Sequence, residues 1–424
     1  ADEAALQEAR QAKIAALGGE DAWAAHLARW GLSETDAEVF ARCHRLYARL
    51  YEESRREGSS AYLSPEDIAA YAEAQGLQTA AVLAVADSAQ AEAIRTELAA
   101  AADLPAAFAA WNRDDAIRKD STSGGAFTAI AEYVLEGGGV VYGAAMDAHQ
   151  HLRHIPCFRK EDLWQLRGAK YVQSDLRGVF REIRELLKSR PVLFSGTPCQ
   201  VDGLYRFLGC RPENLTTCDL VCHGVPSPGV WEHEARAIEQ DKKKQLAAVR
   251  FRNKVEGWKN SHFTAVYEDG TVDSAPLFST GYGRAFGRAL FLRQSCCRCQ
   301  YTNLNRPGDF TLGDLWGLKP DEFPEQQHAG ISLLLVNTPH GSYLFDQLKL
   351  ECQPFPVERA IAGNPRLAGP IAPAADRTAF FASYAVEPFE EVRRRFLKLP
   401  SLPVRAAGKL LSPEIKAKIR SRLK

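Results

Sequence analysis

The chain has 424 residues, 46% of them hydrophobic, and its 53 lysine and arginine residues are balanced by 53 aspartate and glutamate residues. This length and apolar content are typical of a folded protein of two or three domains. Because the charges balance, no net positive field attracts phosphates, which argues against a nucleic-acid partner. No apolar run approaches the roughly 20 residues of a transmembrane helix, and the N-terminus lacks the layout of a signal peptide. We therefore expect a soluble, cytoplasmic protein.

The first predicted domain covers residues 1–115. Its alanine-rich sequence spaces apolar residues at helical intervals, as in ADEAALQEARQAKIAAL, so we expect an all-helical domain. Its single cysteine, Cys43, lies in the helical pattern VFARCHRLY and is interpreted as a buried structural thiol. No candidate site is predicted in this domain.

The second predicted domain, residues 116–375, alternates short aliphatic runs with glycine-rich turns and helical patterns. This alternation indicates an α/β (α+β) fold with a mixed sheet core and flanking helices. Buried strands are expected at 138–145, 190–196 and 216–224, with helices at about 124–136, 176–189 and 200–209.

A β-meander insertion is predicted next, in AAVRFRNK and HFTAVYEDGTVDSAPL, with Asp269-Gly270 as a hairpin turn. Two more strands are expected in DFTLGDLWGL and GISLLLVNT, and a helix near 340–350. Residues 376–424 are predicted to form a basic helical tail, because the stretch 404–424 holds seven lysine or arginine residues against one glutamate. A solvated helix is favoured there over a partner-docking segment.

Four of the ten cysteines lie where ligands are expected to bind. Cys199 directly follows the strand that ends in LFSG, and Cys222 follows the strand TTCDLV in the same way. In a parallel sheet both thiols emerge at the carboxyl edge, where open α/β sheets bind ligands. Downstream, RQSCCRCQY supplies Cys296 and Cys299 as a C-x-x-C pair, whose tight turn brings two thiolates to one side. We expect the four thiols to converge.

Three interpretations fit these cysteines. A 4Fe-4S cluster needs four thiolates on a scaffold and tolerates ligands that are far apart in sequence. A structural zinc site uses the same number of thiolates but usually takes them as two local pairs. Alternatively, Cys199 and Cys222 are only small buried residues. Spacing and strand position favour the cluster, and Cys297, the spare thiol between Cys296 and Cys299, is assigned no role.

Two further stretches suit an anionic cofactor. In DSTSGGAFTAIAEYVL, Ser123 is expected to cap a helix whose first amides are left bare by Gly124 and Gly125, ready for a phosphate or the polar edge of a cofactor. The loop RGAKYVQSDL offers cationic and polar side chains: Lys170, Tyr171, Gln173 and Ser174. The alternatives are a tight turn for the glycine pair and an ordinary exposed loop for the second stretch.

The sequence resembles the beta-subunit family of coenzyme F420 hydrogenase and dehydrogenase, which includes 7-hydroxymethyl chlorophyll a reductase. The resemblance covers about residues 120–370 and lies in five ordered motifs: STSGGAFTAIAEYVL, LRGAKYVQSDL, VLFSGTPCQVDGL, DLVCHGVPSPGVW and RPGDFTLGDLWGL. It implies an iron-sulfur flavoprotein, with FAD or alternatively FMN. Such a protein passes electrons between a hydride carrier or organic substrate and a 4Fe-4S cluster.

The resemblance also implies site residues. The cluster ligands it implies are Cys199, Cys222, Cys296 and Cys299, and the flavin contacts are Ser123, Gly124, Gly125, Lys170, Tyr171, Gln173, Ser174 and Thr197. Lys170 and His223 are the candidate catalytic residues. His223, beside Cys222, is placed to donate a hydrogen bond to a cluster sulfur or to supply a proton, and the alternative is a histidine satisfied within its own loop.

One departure from the family pattern bears on the partners. Many relatives begin with a cysteine-rich, ferredoxin-like segment, whereas this chain has the predicted helical domain there. Electrons are therefore expected to pass through a ferredoxin-like donor or acceptor protein, or the flavin to exchange hydride with a soluble carrier, with a small molecule as substrate. Two other functions stay open, a zinc-stabilised binding or assembly protein and a flavin-only reductase.

Overall fold

The computed structural model describes residues 105–398 and, near the N-terminus, residues 10–12, 14–15, 19–29 and 33. The chain divides into two compact units, one of residues 1–106 with 335–347 and one of residues 107–334 with 348–424. In the first unit, helix α1 (Glu20–Arg29) buries Trp23 and Leu27. Residues 34–104 of the predicted helical domain, including Cys43, and residues 399–424 of the predicted tail lie outside the described residues.

The strands form an eight-stranded mixed sheet and a three-stranded antiparallel sheet. Their bounds are β1 (Ala106–Asn112), β2 (Val140–Met146), β3 (Leu152–Cys157), β4 (Val192–Ser195), β5 (Leu215–Leu220), β6 (Leu246–Asn253), β7 (His262–Tyr267), β8 (Val272–Pro276), β9 (Phe310–Asp314), β10 (Ser332–Val336) and β11 (Leu350–Pro354).

The helices connect these strands or follow them. They are α2 (Asp115–Asp120), α3 (Ala126–Glu136), α4 (Val179–Leu186), α5 (Pro198–Leu208), α6 (Pro228–Lys242), α7 (Gly281–Gly287), α8 (Pro324–Gln327), α9 (Pro339–Phe345), α10 (Val357–Gly363), α11 (Arg377–Val386) and α12 (Phe389–Phe396). None of the helices in the described part of the chain is long and apolar enough to cross a membrane.

The large sheet has the order β11-β1-β10-β9-β5-β4-β2-β3. Strands β2, β4, β5 and β9 are parallel neighbours, with Val192 opposite Leu215 and Cys218 opposite Phe310, while β3 and β11 pair antiparallel with β2 and β1. The carboxyl ends of β4, β5 and β9 therefore meet at one edge. The predicted mixed α/β sheet is confirmed, and the predicted strand 216–224 ends earlier, at Leu220, which leaves Cys222 in the following loop.

One core cluster lies where β4 meets its helices. Val192 and Phe194 on β4 pack with Ile183 on α4 and Leu204 on α5, and all four side chains are fully buried. Their spacing explains the elements, because alternate residues of a strand share one face and residues three or four apart share one face of a helix. Each such side chain contributes roughly 1.5–3 kcal/mol by leaving water, so this core holds α5 firmly at the end of β4.

The second core cluster joins the predicted meander to the C-terminal helices. The meander β6–β7–β8 is confirmed, and its hairpin turns at Gly270, whose φ is +79°, while Asp269 Oδ1 accepts the Thr271 amide at 3.0 Å. Phe380 on α11 and Val392 on α12 are fully buried in the same cluster.

Two predicted domain boundaries differ from the structure. Residues 377–396, the first part of the predicted tail, form helices as predicted, but their apolar faces pack into the core. The stretch 404–424, for which a solvated helix is predicted, lies outside the described residues. At the other end, β1 pairs with β11, so the sheet begins before residue 116. Both differences arise from contacts between residues that are far apart in sequence: β1 pairs with β11, and Phe380 and Val392 pack in the same cluster as residues of the meander.

Candidate functional site

Cys199 lies at the start of α5, two residues after its N-cap, Thr197. The Thr197 amide donates to Gln200 Oε1 at 2.9 Å, and Thr197 Oγ1 lies 3.2 Å from Cys199 Sγ. The Cys199 side chain is exposed. The turn from β4 into α5 therefore presents this thiol at the carboxyl edge of the sheet, as the sequence predicts.

Cys222 and Cys296 are brought together by a close approach of two loops. The Arg293 amide donates to the Val225 carbonyl at 3.0 Å, and Pro226 bridges to Leu292. Gly224 has φ +122°, and a Cβ atom there would lie 3.1 Å from Cys296 Cβ and 2.7 Å from a Leu292 methyl. Only glycine allows both this backbone conformation and this contact.

The four predicted thiols form one group. Burial above all, with smaller contributions from the neighbouring thiols Cys199, Cys296 and Cys299, raises the pKa of Cys222 to about 12. Burial likewise raises the pKa of Cys296, to which Cys199, Cys299 and Cys297 add. The backbone amides of Gly224 and Val225 act on these pKa values in the opposite direction, by hydrogen bonding to Cys222 and Cys296 respectively.

Within the described ranges, no group of three or more His, Cys, Asp or Glu side chains is placed so that it could hold a metal ion. Four thiolates are the donor set of a 4Fe-4S cluster and also of a structural zinc ion.

The Ser-Gly-Gly turn is organised by contacts within the protein. Ser123 does not cap the following helix, because its hydroxyl donates to the Ile331 carbonyl at 2.6 Å, and the N-cap of α3 is Gly125, with φ +85°. The Gly124 amide donates to Ser332 Oγ at 3.0 Å, and a Cβ atom on Gly124 would lie 2.3 Å from the Ala110 carbonyl oxygen. The prediction that Ser123 caps α3 is wrong, and the amide of Gly124 is already used.

Lys254, which sequence reasoning missed, holds this turn from the other side. Its ammonium donates to the carbonyl oxygens of Ser123 at 2.5 Å, Ala329 at 2.6 Å and Arg118 at 2.7 Å. Burial lowers the pKa of Lys254 to about 7. Nothing in the local pattern FRNKVEG signals this role, since the three carbonyls come from two distant segments.

Lys170 lies in a loop that packs against the turn. The Ala169 amide donates to Thr122 Oγ1 at 2.7 Å, and Lys170 Nζ donates to the carbonyls of Arg167 at 2.8 Å and Gln165 at 3.1 Å. Burial, and then the nearby Arg250 guanidinium, lower the pKa of Lys170 to about 7. A pKa near 7 is favourable for a group that transfers protons at neutral pH, and the catalytic role of Lys170 stays a prediction.

Tyr171 and Gln173 face different surroundings. The Tyr171 ring stacks on Phe286 at 4.1 Å, and burial raises its pKa. The backbone amide of Gln173 donates to the Pro226 carbonyl at 3.1 Å, and this bond connects the loop to the segment after Cys222. Its side-chain Oε1 is buried without a hydrogen-bond partner. An orphaned buried acceptor is uncommon and indicates a missing donor.

Gln200 connects the two predicted halves of the site. Its Oε1 accepts the Thr197 amide, and its Nε2 donates to Ser174 Oγ at 3.0 Å. Thr197 and Ser174, both predicted flavin contacts, are thus joined next to Cys199. Sequence reasoning missed Gln200 because its two partners are separated by β4: Ser174 comes before this strand in the sequence and Thr197 after it.

His223 is held by α7. Its Nε2 lies 3.2 Å from the Phe286 carbonyl oxygen, and its ring packs on the Phe286 ring. Burial lowers the pKa of His223, so the imidazole is neutral at pH 7 and donates from Nε2. This geometry matches the alternative of a histidine satisfied locally, and its catalytic role stays a prediction.

His154 on β3 is a further buried polar residue that sequence reasoning missed. Its side chain stacks on Phe194, and its Nε2 lies 2.9 Å from the Ser195 carbonyl oxygen at the end of β4. Burial, with a smaller contribution from the Lys170 ammonium, lowers the pKa of His154 to about 4. The neutral ring donates from Nε2, so Nδ1 is an acceptor, and it is buried without a partner.

An open recess of about 390 Å³ adjoins the cysteine loop. Phe291, Leu292 and Phe381 form its apolar wall, and Ser227 and Arg293 are among its polar residues. Leu292 and Ser295, which line the recess, belong to the segment that carries Cys296.

Comparison with known proteins places the chain in a family. Two family models match it: the N-terminal model of the coenzyme F420 hydrogenase/dehydrogenase beta subunit over residues 107–181, and the C-terminal model of the same beta subunit over residues 189–354. A chain of the F420-reducing NiFe hydrogenase complex from Methanosarcina barkeri is 18% identical, with a TM-score of 0.43, over 66% of this chain and 92% of that chain. No curated protein matches the sequence. Since the two family models together cover more than half of the residues, the chain belongs to the coenzyme F420 hydrogenase/dehydrogenase beta-subunit family, a family of oxidoreductase subunits.

Proposed function

We propose that the chain is an iron-sulfur flavoprotein subunit that moves electrons between a flavin, FAD, and one 4Fe-4S cluster. The observation that carries the proposal is the group of four thiols, contributed by three segments at the carboxyl edge of β4 and β5. A flavin exchanges two electrons with a hydride donor or acceptor, and a 4Fe-4S cluster carries one electron at a time.

The donor set fits a cluster in number and in kind. Cys199, Cys222, Cys296 and Cys299 supply four sulfurs that lie near one another. The amides of Gly224 and Val225 hydrogen bond to two of these sulfurs. Such bonds stabilise thiolate charge and tune the potential of a bound cluster.

The flavin side has groups left over for a ligand. Gln173 Oε1 and His154 Nδ1 are buried acceptors without donors. Lys170 lies nearby, next to the Arg250 guanidinium, which is paired with Asp120 at 2.6 Å. A ligand with hydroxyl or imide hydrogens would satisfy such acceptors. Gly125 supports the proposal as the N-cap of α3, because its helix end carries no side-chain cap.

The protein's own residues have distinct tasks in this proposal. Lys170 Nζ holds or releases a proton near neutral pH, since its pKa is about 7. Gln200 fixes Ser174 relative to Thr197, and so keeps the flavin-side loop in register with Cys199. His223 stays neutral and anchors the Cys222 loop to α7.

The partners follow from the chemistry of this site. We assign the exchange of single electrons to a ferredoxin-like protein, or the exchange of hydride to a soluble carrier, with a small organic molecule as substrate and the cytoplasm as location. The recess at Phe291 and Arg293 is a surface opening lined in part by the segment that carries Cys296.

Anaerobic purification tests the proposal. The expected product is brown, with about four iron and four acid-labile sulfide per chain and releasable FAD. A colourless protein that contains zinc would favour a zinc-stabilised binding or assembly protein, and a yellow protein without iron a flavin-only reductase. Reduction by NADH, NADPH, reduced deazaflavin and reduced ferredoxin then identifies the donor.

A further inference from the structure

The motif RPGD contributes a buried cation beside the thiol group. The Arg306 side chain is 1% exposed and its partner Asp219 is fully buried, with Arg306 Nη2 at 2.6 Å from Asp219 Oδ1. Asp219 also accepts from Thr311 Oγ1 at 2.8 Å and from the Gly308 amide at 3.0 Å. The buried carboxylate is therefore fully hydrogen bonded, as a charge out of water must be.

The same guanidinium joins two of the cysteine-bearing segments. Arg306 Nη2 donates to the Leu220 carbonyl at 2.8 Å, two residues before Cys222. Its Nη1 donates to the Tyr301 carbonyl at 2.6 Å, two residues after Cys299. The rigid plane of a guanidinium fixes the distance between the two carbonyls that it bonds.

The third segment is connected through the same tyrosine. Tyr301 Oη donates to Asp202 Oδ2 at 2.6 Å, and Asp202 lies on α5, three residues after Cys199. Leu220, Tyr301 and Asp202 thus belong to the three segments that carry the thiols, and each is bonded to Arg306 or to its partner Tyr301.

We propose that Arg306 is the positioning residue of the thiol group, a clamp that sets the separations of the Cys199, Cys222 and Cys299 segments before a cluster binds. The role of the clamp in cluster binding rests on the proposed function, whereas the hydrogen bonds of Arg306 are present in the chain without a cluster. Its consequence is that a lysine at this position, which keeps the charge but not the planar fork, fails to hold the three segments.

Arg306→Lys tests the clamp in the metal-free chain. Dibromobimane, which links two nearby thiols, is expected to join Cys222 to Cys299 about tenfold more slowly in this variant. This is the lower end of the roughly 10–100-fold loss of metal affinity that follows when a residue that orients metal ligands is replaced. Peptide mass spectrometry identifies the linked pair. An unchanged rate for this pair would overturn the proposal.

The matched control is Arg393→Lys. Arg393 pairs with the buried Glu234 at 3.0 Å, on helices α6 and α12, which carry none of the four thiols. This variant loses the guanidinium of a partly buried ion pair, in which the Arg393 side chain is 23% exposed, so it shows what destabilisation away from the thiols does to the linking rate. We expect the wild-type rate.

Tyr301→Phe decides the outcome if Arg306→Lys does not fold. It removes only the hydroxyl that reaches Asp202 and leaves the buried pair intact. Linking of Cys199 to Cys299 should slow several-fold while that of Cys222 to Cys299 stays at the wild-type rate, and equal slowing or no change of both pairs contradicts the clamp.

Iron retention separates the clamp from the proposed function. In cluster-loaded protein, Arg306→Lys should release iron to a chelator about tenfold faster, and the electron paramagnetic resonance signal of the reduced cluster should shift. Wild-type release and signal in this variant would count against the clamp. If the wild-type chain itself binds no iron, the proposed function fails, and the thiol-linking rates alone decide the clamp.

Discussion

The segments around Cys222 and Cys299 differ from the loop around Lys170 in how their buried polar groups are hydrogen bonded. Around the thiols, Arg306 and Asp219 pair with each other and with surrounding carbonyls and amides. Around Lys170, by contrast, Gln173 Oε1 and His154 Nδ1 are buried without partners. A fully satisfied network rigidifies its surroundings. In the proposed function, a bound flavin supplies the donors that the two orphaned acceptors lack.

The largest effect is expected at the thiols. Replacing any one of Cys199, Cys222, Cys296 and Cys299 by alanine removes a ligand that no neighbour replaces, so each variant should lose nearly all iron. Iron analysis after anaerobic purification measures this. Cys352→Ala, on β11, is the control and should keep iron. If Cys297→Ala loses iron while Cys296→Ala keeps it, the assignment within this motif is wrong by one position.

Lys170 tests the flavin side. If its amine donates the proton, the rate of flavin reduction should fall as the pH rises through about 7, the value to which burial lowers its pKa. Lys170→Met should slow that step roughly 100-fold, which is the usual contribution of a positioned acid, and should remove the inflection. Stopped-flow measurements at saturating flavin follow the step. The exposed Lys119→Met is the control, and an unchanged profile in Lys170→Met would exclude the role.

His154 makes the flavin-side region sensitive to acid. Its pKa is lowered by burial from 6.5 to about 4. Between these values the unfolded chain binds a proton at His154 and the folded chain does not. The free energy of unfolding therefore rises with pH across this window, and about 3 kcal/mol is lost by pH 4.

Denaturant unfolding at pH 4.5 and pH 7 measures the effect. His154→Gln should flatten the pH dependence, and the exposed His149→Gln should leave it as in the wild type. A bound flavin that donates to Nδ1 should stabilise the neutral ring further, so flavin loading should extend the window to lower pH. Equal pH dependence in wild type and His154→Gln would contradict the assignment.

The smallest effect is expected at Gly125, the N-cap of α3. Gly125 and Gly138 have φ +85° and +74°, so alanine at either position costs about 1 kcal/mol of strain. A Cβ atom at Gly138 meets nothing within 4 Å, whereas one at Gly125 lies 3.2 Å from Asn112 Cβ and Ser121 Oγ. Gly125→Ala should weaken flavin binding about tenfold, or 1.4 kcal/mol, and Gly138→Ala should not. Fluorescence titration with FAD distinguishes them, and equal affinities would reject the contact at Gly125.

Local sequence patterns predicted five strands of the large sheet, β2, β4, β5, β9 and β10, and missed β1, β3 and β11. Alternating aliphatic runs and turns predicted β2, β4 and β5, because such runs are buried on both faces of a parallel sheet. Strand ends and the C-x-x-C spacing singled out Cys199, Cys222, Cys296 and Cys299, since both signals are local. The helix start at Ser123 and the polar loop at Lys170 suggested the flavin-side residues, and the family resemblance added Thr197. The resemblance itself is confirmed by the family models.

The hydrogen-bond partners of these residues, by contrast, came from tertiary contacts. Ser123 has the sequence of a helix cap, but Ile331 and Ser332, about 200 residues away, take the hydrogen bonds of the turn. The fork of Arg306 and the unpartnered Nδ1 of His154 likewise depend on strands that meet in space. Local patterns encode propensity and periodicity, whereas a buried hydrogen bond depends on which distant group arrives opposite it, and no spacing along the chain records that.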